Sequence, residues 1–213
     1  MQQQKTVTPI SFKDALHALE MEKKQKPEEM TEVLLYGNMP PIDRLDNSLA
    51  RLVSCQKLSL SSNVIDRIVH INNLVNLKIL SLGRNLIKNL SNLESLANTL
   101  EELWISYNFI EKLRPLTSLT KLKILYIAYN QIKDPFEVSV LGEIKTLEDL
   151  ALYGNPYHEK LKGKAVSAAE EYQYRSDVKK RIRHLKRLDG IVFDDDDDDD
   201  EVGGGPVNES IKA

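Results

Sequence analysis

The residue types that most often carry out catalysis are present in this chain, but their spacing fits no familiar active site. The four histidines do not have metal-ligand spacing with one another or with the single cysteine, Cys55. The serines lie in no Gly-x-Ser-x-Gly turn, and the glycines at 203–205 follow no strand, as a phosphate-binding loop would. The aspartates at 194–200 lack the alternation and the glycine of a calcium loop. We therefore expect no enzyme, no metal and no other cofactor.

Two other groups of residues have the chemistry of a binding surface for a macromolecule. The first contains the only tryptophan, Trp104, and several tyrosines, and these residue types are enriched at the energetic centres of interfaces. The second is a basic run that could contact an acidic partner. It consists of Lys179, Lys180, Arg181, Arg183, Lys186 and Arg187. Whether either group forms one surface depends on the elements that carry it.

An internal repeat carries the aromatic group. Five segments fit the pattern L-x-x-L-x-L-x-x-N-x-I without gaps, and Cys55 replaces the first leucine of the first segment. Their asparagines, at 63, 85, 108, 130 and 155, are 22, 23, 22 and 25 residues apart. This spacing is typical of leucine-rich repeats. We predict an α/β leucine-rich repeat solenoid with a short parallel sheet on the concave face, helical turns on the convex side, and helical caps at both ends.

Each position of the repeat has a physical role. Two leucines separated by one residue, such as Leu80 and Leu82, point to the same side of a strand, where neighbouring repeats bury them. The asparagine follows the strand, and its amide can satisfy backbone groups that no strand pairing reaches. Cys55 is expected to be a small buried apolar residue and not a nucleophile.

The residue between the two leucines of each strand points toward the concave surface. Trp104 and Tyr126 should therefore lie on adjacent strands with exposed neighbours around them. An exposed aromatic cluster is typical of an interaction site, although lateral aromatic packing could also serve only to stabilise the sheet. The predicted concave face consists of Ile79, Arg84, Glu102, Trp104, Tyr107, Ile124, Tyr126, Tyr129 and Tyr153.

The chain divides into four predicted regions. These are an N-terminal helical cap (1–30), one degenerate and five clear repeats (31–157), a C-terminal cap with a basic helix (158–190) and a disordered acidic tail (191–213). The N-terminal helix is expected to run from Thr8 to about Lys24, with Pro9 at its first position. The tail is too charged to be buried.

A C-terminal helix from about Val166 to Leu188 is predicted to carry the six bases. Its apolar side has residues at 174, 178, 182 and 185, and Lys179, Arg183 and Lys186 would share the opposite side. Such bases could also be favoured only by the helix dipole or be simply solvated. Nucleic acid is a poor partner, because no aromatic side chains alternate with the bases.

The formal net charge of −3 hides an uneven distribution. Residues 1–188 carry 28 bases and 22 acids, a net of +6, whereas residues 189–213 carry ten acids and one base, a net of −9. The acidic tail could fold back and screen the basic helix. No apolar run is long enough to span a bilayer, no signal peptide is recognisable, and a single cysteine excludes an internal disulfide. We therefore expect the cell interior as the compartment and no membrane partner.

Particular stretches of the repeats resemble a known family. Leu100 to Leu113, with its Leu-Trp-Ile-Ser-Tyr-Asn core, and Leu80 to Leu90 are similar to the axonemal dynein light chain 1 family, the leucine-rich light chains of outer dynein arms. The similarity runs in register from about Phe12 to Gly190. The departures from the family pattern lie after Asn155, in the linker at 157–169 and at Tyr172 and Tyr174.

The resemblance implies a non-enzymatic subunit that binds the microtubule-binding stalk domain of a dynein heavy chain, beside tubulin, and modulates ciliary motor activity. The concave residues would contact the heavy chain and the basic helix would face the microtubule. The implied location is the cytoplasmic cytoskeleton, in the outer dynein arms of the ciliary or flagellar axoneme, and no small-molecule substrate is expected. Two other classes remain open: an acidic-tailed nuclear leucine-rich protein of the histone chaperone type and a leucine-rich regulator of protein phosphatase 1.

Overall fold

The computed structural model describes residues 7–162 and 168–193, with the side chains of 162 and 168–172 left out. The acidic run at 194–201 lies outside the described residues. Within them, no helix combines the length and the apolar composition that crossing a membrane requires. In chain order the elements are β1 (Ile10–Ser11), α1 (Phe12–Lys23), β2 (Glu32–Leu34), β3 (Ile42–Arg44), β4 (Lys57–Ser59), β5 (Ile79–Ser81), β6 (Glu102–Trp104), β7 (Ile124–Tyr126), α2 (Pro135–Val140), β8 (Asp149–Ala151), α3 (Pro156–Lys162), α4 (Ala168–Arg181), β9 (Arg187–Leu188) and β10 (Ile191–Val192).

One sheet forms the concave face, with its eight strands in the order β10-β9-β8-β7-β6-β5-β4-β2. From β2 to β9 the strands are parallel, and equivalent residues of successive repeats are paired, as Trp104 is with Tyr126. The chain returns between strands through 3₁₀ segments such as Leu93–Leu96 and Arg114–Ser118, and through α2. The predicted α/β leucine-rich solenoid is confirmed, and β2 is its degenerate first strand.

The asparagines bond successive repeats to one another. The Asn108 amide nitrogen donates to the carbonyls of Leu82, at 3.0 Å, and Ile105, at 3.1 Å, and its Oδ1 accepts from the Ile87 amide at 3.0 Å. The other four asparagines of the pattern make the equivalent bonds. Because these groups are buried, leaving one unbonded would cost about 1–3 kcal/mol. The turn after each strand is therefore fixed.

The N-terminal helix begins at Phe12 and not at Thr8. The Ser11 hydroxyl accepts from the Asp14 amide at 3.2 Å, and the Asp14 carboxylate accepts from the Ser11 amide at 3.3 Å, which together form a capping box. The residue before this cap, Ile10, pairs with Ile42 in a separate two-stranded sheet. A strand pairing thus occupies the backbone where the sequence suggested the first helical turn.

The C-terminal helix ends earlier than predicted, because the chain adds a strand to the solenoid. Helix α4 ends at Arg181, and β9 then pairs with β8 so that Leu188 lies opposite Leu150. Leu188 is fully buried and closes the core. Strand β10 pairs with β9, so residues 191–192 belong to the sheet and not to the tail. The sequence holds a signal for β9, since Leu185-x-x-Leu188 repeats the beginning of the leucine pattern.

Candidate partner-binding surfaces

Two aromatic rings lie side by side at the centre of the sheet. Trp104 on β6 and Tyr126 on β7 have ring centroids 6.1 Å apart and an interplanar angle of 20°. Trp104 is 37% exposed, a large fraction for a residue in the middle of a sheet. Ile79, Glu102 and Ile124 form the adjoining paired row and are half-buried. The structure thus brings these five predicted site residues together.

A second row crosses the ends of the same strands. The Arg84 guanidinium carbon lies 4.2 Å from the centroid of the Tyr107 ring. Tyr107 stacks on Tyr129 at 4.5 Å between centroids, and Tyr129 meets the edge of Tyr153 at 5.1 Å. We call these four residues the tyrosine ladder, and the ladder together with Trp104, Tyr126 and their row of Ile79, Glu102 and Ile124 the concave aromatic face. Cation–π and aromatic contacts of this kind contribute roughly 0.5–1.5 kcal/mol each.

The tyrosine ladder is built on left-handed backbone. The φ angles are 56° at Arg84, 60° at Tyr107 and 52° at Tyr129, each just before a buried asparagine. Glycine takes this conformation without penalty, whereas other L-residues pay about 1–2 kcal/mol. In the last repeat Gly154 has this position, with φ of 69°, and a Cβ there would lie 2.4 Å from the Tyr129 ring. Large side chains thus occupy positions where glycine would be less strained.

The Tyr126 hydroxyl of this face is hydrogen-bonded to an ion pair on the next two strands. The Tyr126 hydroxyl donates to Asp149 at 3.3 Å, and the same carboxylate accepts from Arg187 at 3.0 Å. Burial, followed by the charge of Asp149, raises the pKa of Tyr126 above its usual value. Burial and the neighbouring tyrosines raise the pKa of Tyr153. Tyr126 and Tyr153 therefore stay neutral at physiological pH and present apolar rings with hydrogen-bonding hydroxyl groups.

Two exposed apolar residues near this face were missed by the sequence reasoning. Leu86 and Phe109 are 44% and 45% exposed and lie two residues beyond Arg84 and Tyr107. Each occupies the variable position after the asparagine, where the repeat requires no apolar side chain. An apolar residue at that position is the signal that could have found them. In contrast, Ala128 is only 2% exposed, although strand alternation would place it on the same side as Tyr126.

The six bases of the C-terminal cap do not lie on one helix, so Lys179, Arg183 and Lys186 do not share a helical side, which corrects the prediction. Helix α4 contains only the first three of them, because it ends at Arg181. Arg183 lies in the following turn, Lys186 just precedes β9, and Arg187 begins it. The predicted apolar stripe is confirmed, since Tyr174, Val178, Ile182 and Leu185 are all buried.

Lys186 and Arg187 are paired with acids of the last repeat. Because β9 lies beside β8, Lys186 reaches Glu148 at 2.9 Å and Arg187 reaches Asp149 at 3.0 Å. The Lys186–Glu148 pair continues an alternating row that includes the Lys123–Glu101 pair of the preceding repeats, at 2.6 Å. These two bases are therefore ion-paired across the junction between the cap and the last repeat, and their charges are largely compensated.

Arg181 belongs to a polar network inside the cap. Its guanidinium bonds the Asp177 carboxylate at 2.8 Å and the Ser139 hydroxyl at 2.9 Å, and Asp177 also accepts from the Tyr157 hydroxyl. Burial alone would raise the pKa of Asp177, but the bonds from Arg181 and Tyr157 lower it below its usual value. The network joins α2, α3 and α4, so Arg181 is a structural residue.

Lys180 and Arg183 differ from the other four bases. Both are exposed, and neither forms an ion pair or a hydrogen bond within the described residues. Lys179 is half-buried and donates to the Leu185 carbonyl at 3.3 Å. The set of bases available to an acidic partner is therefore smaller than the sequence suggested.

The buried histidine and cysteine have structural surroundings. His158 is 6% exposed, accepts the Gly154 amide at 3.3 Å and packs edge-on against Tyr174. Cys55 is fully buried, and burial raises the pKa of its thiol to about 11, so it stays protonated. Among residues 7–162 and 168–193, no group of three or more histidine, cysteine or acidic side chains is arranged to hold a metal ion.

The stacked strands, the buried asparagines and the exposed concave face define a leucine-rich repeat protein. A family model described as Leucine Rich repeats (2 copies) matches residues 98–151. A leucine-rich repeat protein of Leptospira interrogans superposes with a TM-score of 0.59 and 25% identity, over 75% of this chain and 37% of that one. An internalin of Listeria monocytogenes superposes with a TM-score of 0.54 and 26% identity, over 76% of this chain and 41% of that one.

Whole-chain comparison identifies a narrower group. Dynein axonemal light chain 1 of Bos taurus is 53% identical over 180 residues, which are 84% of this chain and 91% of that protein. The Homo sapiens protein of the same name is 52% identical over the same shares. The Chlamydomonas reinhardtii protein is 50% identical over 184 residues, 86% of this chain and 91% of its own. The chain belongs to the axonemal dynein light chain 1 family.

Proposed function

We propose that this chain is a non-catalytic light chain of outer-arm axonemal dynein that binds the microtubule-binding stalk domain of a heavy chain and modulates ciliary motor activity. Family membership supports the light-chain role. The observation that carries the binding surface is the concave aromatic face, where packed, half-exposed rings cover three successive strands, β6 to β8. The expected partner is another protein, because the face is broad and apolar and carries few polar groups.

The backbone strain supports binding over a purely structural role for the rings. A sheet that needed only lateral packing could use glycine before each asparagine, as it does at Gly154. Instead, Arg84, Tyr107 and Tyr129 retain left-handed φ angles at a cost of about 1–2 kcal/mol each. Strained residues of this kind concentrate at functional sites. We therefore assign the face to the heavy chain.

A second contact, to the acidic surface of the microtubule, is assigned to the exposed bases of the cap. Lys180 and Arg183 carry it in this proposal, with Lys179 beside them, while Arg181, Lys186 and Arg187 hold the cap together. Exposed charges act on a partner over about one Debye length, which is about 8 Å at physiological salt. The contact would therefore tune affinity in a salt-dependent way and would not provide the main anchoring energy.

The binding surface is tested by replacing its central rings. The double variant Trp104→Ala with Tyr126→Ala should weaken binding to a purified heavy-chain stalk domain by about 2–4 kcal/mol, roughly 30- to 1000-fold, as for residues at the centre of an interface. Calorimetry measures the affinity, and circular dichroism checks the fold. The matched control is Phe136→Ala, which removes an aromatic ring that is 58% exposed on α2. Equal affinity for the double variant and the control would contradict the assignment of the heavy-chain site to the concave aromatic face.

A tagged chain recovered from isolated axonemes and from nuclear extract distinguishes the three functional classes. Mass spectrometry should find an axonemal dynein heavy chain with the native chain, and much less of it with the double variant. Enrichment of histones or of protein phosphatase 1 would support one of the two alternative classes. Family membership favours dynein over both alternatives.

A further inference from the structure

The last described residue of the chain is fixed against α4. The Phe193 ring is half-buried against the core, with the Arg175 guanidinium 4.4 Å and the Lys179 ammonium 5.1 Å from its centroid. The Phe193 amide donates to the Lys186 carbonyl at 2.9 Å, and Arg175 donates to the carbonyls of Leu188 and Val192. The point at which the acidic segment begins is therefore held beside two cationic side chains.

More positive charge lies further along the same part of the chain. Lys180 follows Lys179 in the last turn of α4, and Arg183 lies in the turn after it. Both are exposed and form no ion pair within the described residues. The bonds of Arg175 to backbone carbonyls orient its guanidinium without cancelling its charge. We call Arg175, Lys179, Lys180 and Arg183 the cap basic surface.

We propose that the chain's own acidic segment, Asp194 to Glu201, binds across the cap basic surface. The segment carries eight carboxylates and follows Phe193 without a spacer. Extended, its eight residues reach about 27 Å, since each spans at most about 3.3–3.6 Å, which is enough to pass all four bases. The covalent connection gives the segment an effective concentration in the millimolar range, so individually weak ion pairs are sufficient.

This contact is a built-in competitor for any acidic partner of the cap. An acidic protein surface must displace eight linked carboxylates, and the displacement becomes easier as salt screens the intramolecular attraction. The inference does not depend on the proposed function, because it concerns two parts of one chain. It can hold whether or not the cap meets a microtubule, and its tests contain neither dynein nor tubulin.

Zero-length cross-linking of the full chain tests the contact directly. A water-soluble carbodiimide joins a carboxylate to an amine with which it is in contact. At about 20 mM salt, mass spectrometry should find Lys179 or Lys180 joined to residues 194–201, and the yield should fall at about 300 mM salt. Lys78 and Lys121, exposed lysines of the second and fourth repeats, are the internal controls. Equal yields at the control lysines, or no tail cross-links, would overturn the proposal.

Competition with an added peptide provides a second measurement. In the full chain, the seven aspartates are replaced by asparagine and Glu201 by glutamine, and the probe is a synthetic hepta-aspartate peptide. At about 20 mM salt this neutral-tail variant should bind the peptide at least about fivefold more tightly than the native chain does. Equal affinities, or no binding to either chain, would contradict the proposal.

The site of peptide binding is tested in the neutral-tail variant. Adding Lys180→Glu and Arg183→Glu should abolish peptide binding, whereas adding Lys78→Glu and Lys121→Glu should leave it within about twofold, since those lysines lie outside the proposed site. Equal losses in both would show attraction to overall charge alone and would refute the site. Circular dichroism confirms that each variant is folded.

Discussion

The concave aromatic face and the C-terminal cap were both candidate binding surfaces, yet the structure uses their side chains in different ways. On the concave face the rings contact mainly one another, and Trp104, Tyr107 and Tyr129 remain about 40% exposed. In the cap, Arg181, Lys186 and Arg187 are engaged with acids of the same chain. A base beside a strand that carries acids forms an ion pair, whereas an aromatic ring on the concave sheet keeps one face exposed.

The difference concerns what a side chain can satisfy locally. A cationic side chain pairs with a carboxylate within reach, and the parallel pairing of β9 with β8 places Glu148 and Asp149 beside bases of the cap. An aromatic ring can bury only as much surface as its neighbours cover, and neighbouring strands about 4.8 Å apart cover its flanks but not its top. Residue type alone therefore predicts more available bases than the fold leaves exposed. It also predicts fewer exposed aromatic rings than the fold retains.

The largest effect is expected from replacing Leu188, the core residue that makes the cap part of the solenoid. Leu188→Ala should lower the free energy of unfolding by about 2–5 kcal/mol, because Leu188 is fully buried beside β8. Ile191→Ala, at a site 56% exposed in β10, should change it by less than about 0.5 kcal/mol. Denaturant unfolding measures both. Similar small losses for the two variants would mean that the cap is only loosely attached.

A paired base and an unpaired base of the cap should behave differently. Arg181→Ala should destabilise the protein by about 1.5–3 kcal/mol, the range for hydrogen bonds to charged groups, because it leaves Asp177 with one fewer partner. Arg183→Ala should stay within about 0.5 kcal/mol. Thermal unfolding of the two variants compares them. A large loss at Arg183 would show that the exposed base also has a structural role.

Acid should weaken the cap before it affects the concave aromatic face. The folded-state pKa of Asp177 is lowered below its unfolded value, so its contribution to stability is present above the unfolded pKa and is lost as pH falls through the folded pKa. Asp177→Asn should therefore lose less stability than the native chain as the pH falls below about 4, the ordinary pKa of an aspartate. Trp104→Ala should keep the native pH dependence. Identical acid profiles for the Asp177→Asn variant and the native chain would exclude this role.

The smallest expected effect separates binding from stability on the concave face. Tyr107→Gly loses stacking worth about 0.5–1.5 kcal/mol but relieves left-handed strain of about 1–2 kcal/mol, so unfolding free energy should change by less than about 1 kcal/mol while stalk-domain binding falls. Ser62→Gly, at the same repeat position with φ of 58°, is the backbone control and should not affect binding. A loss of stability above about 2 kcal/mol at Tyr107 would assign the ladder to the fold.

The repeats could be predicted because their code is local. Within each repeat two apolar residues and one asparagine, at fixed spacing, decide which side chains are buried and where the chain turns. The same motif in each repeat then sets the register, so the neighbours of Trp104 and Tyr126 follow from aligning the motifs. The stacked geometry of the tyrosine ladder could not be predicted from the sequence. Ring orientation depends on left-handed backbone at Arg84, Tyr107 and Tyr129, and these residue types do not indicate that conformation.

The cap could be predicted only in part, because its periodicity is ambiguous. Leu185 continues the helical stripe that begins at Tyr174, but it also begins a leucine pattern that ends at Leu188. Local spacing fits a longer helix and a new strand equally well. The open edge of β8 and the uncovered core select the strand, since a helix there would leave backbone groups of β8 unpaired.

The sequence by itself therefore determined the solenoid, the concave placement of its aromatic residues and the burial of the cap's apolar stripe, because all three depend on spacing along one segment. Only the tertiary structure decided which charges remain available. The partners of Arg187 and Arg181 are 38 and 42 residues distant in the sequence, at Asp149 and Ser139. Charge pairing depends on distance in space, and folding sets that distance after the local pattern has been satisfied.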